Sequence, residues 1–148
     1  REDNRAFRST PALVERMAEL LERERPALVF APFITEAHED HITLLRILAA
    51  ALERVPEVAA ACEVFSYEVW SVVPCNRWCD VTAQMPALEQ LLFEYDVAMR
   101  IDDFVRFCAD RGLHHSFTLR GTPGYLEAFH AVPAARYPAL LATVTGAA

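Results

Sequence analysis

The sequence predicts an α/β fold with a mainly parallel sheet on which helices pack, and three observations carry that expectation. An amphipathic helical period comes first, a short continuous apolar run of the kind buried in parallel sheets follows at once, and helix and strand signals then alternate along the chain. At 148 residues, 53% hydrophobic and 24% charged, the chain fits one globular domain, residues 1–148, with a sizeable core.

The elements follow in order. "STPALVERMAELLERERP" offers Ser9 or Thr10 as N-cap and Pro11 as first helical residue. Leu13, Val14, Met17, Leu20 and Leu21 then fall on one stripe, and Pro26 stops the helix. "ALVFAPF", residues 27–33, reads as a strand buried on both faces. A second helix is expected from Glu39 to Arg54, with Ile42, Leu45, Leu48, Ala49 and Leu52 facing inward and Pro56 ending it. After an Ala-rich connection, "CEVFSYEVWSVVP" reads as a strand leading into an irregular segment that closes at Pro74. "NRWCDVT" is expected as a loop in which Asp80 or Thr82 caps a helix over residues 83–95. A helix over 101–111 should end at Gly112, "HHSFTLRGTPG" should be loop, "YLEAFHAV" a strand, and the tail one or two helical turns.

Composition narrows the partners. The net charge is −7, the pI is near 5.2 and the 14 basic residues are scattered, so no cationic stripe exists to neutralise phosphates and nucleic acid is not an expected partner. No apolar run is long enough for a membrane span. The first residues, REDNRAFRSTP, hold no secretory leader and no initiator Met, so we expect a cytoplasmic protein and the later part of a longer polypeptide. Cys62, Cys75, Cys79 and Cys108 match neither a zinc knuckle nor a redox pair and are expected as free, mostly buried thiols.

The chemistry gathers in "PFITEAHEDHITLLRIL", residues 32–48, directly after the first strand, where ligands of open α/β sheets bind. His38 and His41 are three apart on a helical turn, and both rings are expected to face the sheet. Two imidazoles aimed at a strand end suit zinc, and Asp40 between them suits the carboxylate that holds one ring's N–H. The acids Glu36, Glu39 and Asp40 also complement a helix N-terminus, so spacing alone leaves both a metal or catalytic role and a helix-terminus role open. The pair His114–His115 is expected solvated in a loop, His130 structural, and Asn76–Arg77 on the surface or against a polar substrate.

"VFAPFITEAHEDH", "YEVWSVVPCNRWCDVT", "RG" and "YLEAF" resemble, in order, the later half of the PIG-L/LmbE-like family of zinc-dependent N-acetylglucosamine deacetylases. That family shows an H-P-D-H segment, a Y-E-x-W strand followed by P-N-R and D-I-T, and a closing Y-A-E-A-F. The resemblance covers roughly residues 10 to 130. It implies a Rossmann-like three-layer αβα fold whose N-terminal strands are missing here. It also implies that His41 is a zinc ligand, that His38 stabilises the oxyanion or protonates the leaving amine, and that Asp40 orients His38. Zinc would polarise the acetamide carbonyl of an amino-sugar conjugate and activate water as the nucleophile.

Departures accompany the resemblance. The family's His-Pro-Asp-Asp motif, which brings two zinc ligands and the general base, has no counterpart in these residues. Glu39 stands for Pro, Ala37 for Gly and Cys75 for the Pro of P-N-R, the usual Lys after D-I-T is absent, and no Ser-Gln follows Tyr95. Three readings follow: part of a zinc deacetylase completed by a missing N-terminal segment or another subunit, a non-catalytic binding module, or an unrelated α/β domain. This chain by itself is expected to hydrolyse little or nothing.

Overall fold

Residues 8–94 and 104–145 are described by the computed structural model. The expected helix end at Tyr95, the expected helix start at 101–103, the 95–100 departures and the residues before 8 lie outside the described residues. The chain, expected as one domain, divides into two compact units, residues 1–74 with 129–148, and residues 75–128.

In the first unit, α1 (Pro11–Glu24) starts as its sequence dictates: the Thr10 hydroxyl accepts from Leu13 N–H at 3.3 Å and Pro11 occupies the first turn, where no N–H is needed. Arg25 ends it in the left-handed region, φ 43°, with its N–H donating to Leu21 O. Strand β1 (Leu28–Pro32) follows, then α2 (Glu39–Arg54), with the bounds its periodicity predicts. Leu45, Leu48 and Leu52 are buried as expected, and Ile47 and Ala51 join them.

Pro56 does not simply end α2. It opens a further short helix, α3 (Pro56–Ala61), because proline's fixed φ and missing N–H suit a first helical turn as well as they spoil a later one. Strand β2 (Glu63–Tyr67) is shorter than the apolar run that predicts it. Strand β4 (Leu126–Pro133), numbered after β3 of the second unit, leads into a 3-10 turn (Ala134–Arg136) and then α6 (Tyr137–Thr145), more helix than the Pro-punctuated tail suggests. Helices α1 and α6 both pack on α2, forming one helical layer. Ala31, Val64 and Ser66 on one sheet face are sealed, at 2%, 0% and 1% exposure, whereas Phe30 on the opposite face is 57% exposed. Phe30, Phe65 and Phe129 form a ring triangle on that opposite face, with centroids 5.7–5.8 Å apart.

Among the described residues the sheet has four strands, in the order β1-β2-β4-β3. Pair β1–β2 is parallel, with Val29 opposite Val64 and Ala31 opposite Ser66. Pair β2–β4 is antiparallel, with Ser66 opposite His130. The expectation of a mainly parallel sheet is therefore corrected to a mixed one. Apolar continuity reports burial on both faces, not strand direction, and β4 returns antiparallel to β2. Strand β1 is also not buried on both faces: among the described residues nothing packs over the face that carries Leu28 and Phe30, 44% and 57% exposed.

In the second unit, β3 (Arg77–Asp80) occupies "NRWCDVT", which reads as loop. Val81 N–H donates to Tyr125 O, and the Thr82 hydroxyl accepts from Tyr125 N–H at 2.8 Å. Neither Asp80 nor Thr82 caps the next helix, α4 (Met85–Phe93); its N-cap is Gln84, without a side-chain bond. Helix α5 (Phe104–Arg120) runs through Gly112 and His114–His115. Gly112 is a packing glycine, since a Cβ there would meet Tyr125 Cδ1 at 3.4 Å. The true stop is Gly121, φ 71°, whose N–H donates to Ser116 O and Phe117 O.

Among the described residues no helix is long and apolar enough to cross a membrane. All four cysteines are free, but only Cys62 is buried; Cys79 is exposed, and Cys75 and Cys108 are half-buried, so the expectation of mostly buried thiols fails. Cys79 sits on a strand whose four residues are all exposed.

Candidate functional site

Parallel strands β1 and β2 end side by side, and the segments that leave their carboxyl ends meet. After Pro32 the ladder continues one step, Phe33 N–H donating to Tyr67 O at 2.9 Å, and Glu36 N–H then closes a turn onto Phe33 O. That turn drives Glu36 inward to 3% exposure.

The buried Glu36 carboxylate organises the site. Its Oε1 accepts from the backbone N–H groups of Val69 (3.3 Å), Trp70 (2.9 Å) and Ser71 (3.0 Å) and from the Ser71 hydroxyl (2.9 Å). These bonds end β2 early, because N–H groups turned toward a carboxylate cannot continue a ladder. Burial pushes the Glu36 carboxyl up, but the Ser71, Trp70 and Val69 bonds outweigh it and hold the group below its ordinary value. Burial of Tyr67 pushes its phenol up, and the nearby Glu36 charge adds to that.

Glu36 Oε2 lies 3.5 Å from His41 Nδ1, within ion-pair range but short of a hydrogen bond. Glu36 Oε2, His41 Nδ1 and Asp40 Oδ1 are buried atoms without a hydrogen-bond partner among the described residues. A carboxylate behind Nδ1 is the arrangement that leaves a histidine's Nε2 available to a ligand or a proton. The sequence reading places Asp40 in that role and Glu36 at a helix terminus; toward His41 the structure places Glu36 instead. Nothing in "PFITE" signals this, since the partners are backbone groups 33 to 35 residues away.

His38 is the N-cap of α2, and its Nδ1 accepts from Asp40 N–H at 3.2 Å. Asp40 thus meets His38 through its backbone, not its carboxylate. With Nδ1 accepting, the neutral ring carries its proton on Nε2. The His38 and His41 rings lie 4.9 Å apart, as their spacing predicts. His38, however, is exposed and only His41 is half-buried, so the expectation that both rings face the sheet is corrected. An N-cap residue lies outside the helical turn and its ring bends back over the first amides.

His130, on β4, accompanies this end of the sheet: its Nδ1 is 2.7 Å from Pro74 O and its ring meets Phe33 edge-on at 5.4 Å. In the second unit, His115 is 8% exposed within α5 rather than solvated in a loop. Arg77 there donates through Nη1 to Asn76 O at 3.0 Å.

The described residues do not by themselves fit zinc, because no three His, Cys, Asp or Glu side chains among them converge on one point. His41 remains the one ligand assigned by resemblance, with Glu36 behind it.

No family model matches the sequence, and no curated protein does. Two solved structures are similar in fold. A conserved protein of Thermus thermophilus shares 20% identity at a TM-score of 0.65, covering 85% of this chain and 61% of that one. The 4-carboxy-2-hydroxymuconate hydratase of Pseudomonas putida shares 13% at a TM-score of 0.66, covering 87% and 61%. This chain thus spans about three fifths of the length of each, and the likeness is one of fold.

Proposed function

We propose that this chain is the histidine-bearing later part of a cytoplasmic, metal-dependent N-deacetylase, a carbon–nitrogen hydrolase acting on an N-acetylglucosamine-type conjugate. The observation that carries the reading is the His38–His41 pair at the ends of two parallel strands, with the buried Glu36 carboxylate 3.5 Å behind His41. In this reading the fold is an αβα sandwich of the PIG-L/LmbE-like kind, and the Phe30–Phe65–Phe129 face is the side that takes the second helical layer.

The roles follow from proton positions. His38, accepting at Nδ1, presents its Nε2–H outward as donor to an oxyanion or a leaving amine. Asp40 orients that ring through its amide. His41 is the one zinc ligand proposed here, and a catalytic zinc site needs at least about two more from outside the described residues. A second reading, a non-catalytic module that binds an amino-sugar conjugate, is favoured by that same lack of a three-donor group.

The test is zinc analysis and acetate release from an N-acetylglucosaminyl conjugate by the natural polypeptide that contains this chain. We expect His41→Ala to lose zinc and His38→Ala to keep zinc while losing roughly 100-fold or more in kcat. Equal zinc in the natural polypeptide and His41→Ala would remove the ligand assignment. Binding without acetate release would establish the second reading.

A further inference from the structure

Two large apolar side chains stand exposed on a segment whose backbone is tied down. Trp70 is 53% exposed and Val72 78%. The N–H groups of Val69, Trp70 and Ser71 nevertheless converge on Glu36 Oε1, and Val73 N–H donates to the Glu68 carboxylate at 2.8 Å. Val73 is buried, so the segment points inward there and outward at Trp70 and Val72. An aromatic side chain on an anchored backbone is ordered before any ligand arrives, and binding then loses little entropy in fixing it.

The same anchor sets where Trp70 stands. Glu36 accepts from Trp70 N–H at 2.9 Å through one carboxylate oxygen and faces His41 Nδ1 at 3.5 Å through the other. One buried carboxylate therefore spans the distance from the Trp70 backbone to the imidazole, and all these residues belong to the first unit. An indole on that backbone is within reach of a ligand whose acyl group lies at His38 and His41.

Charge narrows the chemistry of that ligand. Segments 32–41 and 67–74 carry Glu36, Glu39, Asp40 and Glu68 and neither Lys nor Arg. A field of that sign repels carboxylates, phosphates and anionic lipid surfaces, whereas carboxylates accept hydrogen bonds from hydroxyl groups. The negative face of an aromatic ring attracts weakly positive C–H groups, and an indole offers a large contact area on only two rotatable bonds. A pyranose ring presents both complements, hydroxyls around its rim and C–H groups on its face.

We propose that Trp70 is the platform on which the pyranose ring of the ligand stacks while its acetamido group lies at His38 and His41. The proposal rests on the amino-sugar reading given above and adds to it the residue that recognises the ring.

Steady-state kinetics and calorimetric titration of the natural polypeptide that contains this chain, with methyl N-acetylglucosaminide as an uncharged probe, test it. We expect Trp70→Ala to weaken binding and raise KM about 10-fold or more, with kcat within about 3-fold and zinc content unchanged. Trp70→Phe, which keeps a smaller aromatic face, should recover most of that loss, and Trp70→Leu, apolar without such a face, should not. Unchanged affinity in Trp70→Ala overturns the proposal and leaves the functional reading intact. So does a loss of zinc, a fall in kcat at unchanged KM, or equal recovery by Trp70→Leu, because Trp70 then props the segment instead of touching sugar. A wild-type polypeptide that neither binds nor hydrolyses the glucosaminide overturns both.

Discussion

Replacing Glu36 tests the centre of the site most directly. In Glu36→Ala the three amides and one hydroxyl gathered on Oε1 lose their common acceptor. A hydrogen bond to a charged group contributes about 1.5–3 kcal/mol, but the 69–71 amides are only partly buried and water recovers much of that. The net cost should be about 2–4 kcal/mol, the penalty for partly buried donors left without their acceptor after that discount, or on the order of 10 °C in Tm for a chain of this length. Glu36→Gln keeps an acceptor and loses the charge, so it should cost about 1–2 kcal/mol at pH 7. The sign with pH follows from the lowered carboxyl. The contribution is present above the unfolded value of about 4.3 and disappears as pH falls through the folded one, so wild type and Glu36→Gln should converge in acid. Urea unfolding at about pH 7 and about pH 3 in a Trp78→Phe background, where Trp70 fluorescence alone reports the 69–71 segment, measures both effects. A Glu36→Ala chain within about 1 kcal/mol of wild type at pH 7 would refute the anchoring role.

Tyr137 is fully buried and its hydroxyl has no hydrogen-bond partner among the described residues, so Tyr137→Phe should be neutral or stabilising by up to about 1 kcal/mol in thermal unfolding, and a loss above about 2 kcal/mol would reveal a hidden partner. Asp80 is held at about 2 by the Thr82 hydroxyl and N–H and by Arg120. Carbon-detected NMR should follow its titration there, with its contribution to stability intact above about pH 3.9 and lost as pH falls through 2; Arg120→Ala should move the midpoint upward, and a wild-type midpoint near 4 would contradict the geometry.

Local signals were legible where local chemistry decides. Thr10 and Pro11 announce α1, and the Leu45–Leu48–Leu52 stripe announces α2, because capping and helical periodicity act within a few residues. Gly112 misleads for the opposite reason. A glycine can end a helix or let a neighbour approach, and only the presence of Tyr125 distinguishes the two. The run from Cys62 to Pro74 has strand composition throughout, yet Glu36 diverts its amides after Tyr67. The closeness of His38 and His41 was readable from a spacing of three, whereas the exposure of His38 depends on its place as N-cap.

The sequence by itself determined that helices and strands alternate, that β1 runs into a histidine-bearing helix, and that the net charge is −7 with its 14 basic residues scattered. Those properties follow from short-range periodicity, caps and summed charge. Tertiary structure alone decided that β4 returns antiparallel, that β1 is the outermost strand among the described residues, and that Glu36 rather than Asp40 stands behind His41. Each depends on backbone groups far apart in sequence finding one another, and backbone groups are the same in every residue type but proline, so composition carries no record of which will meet.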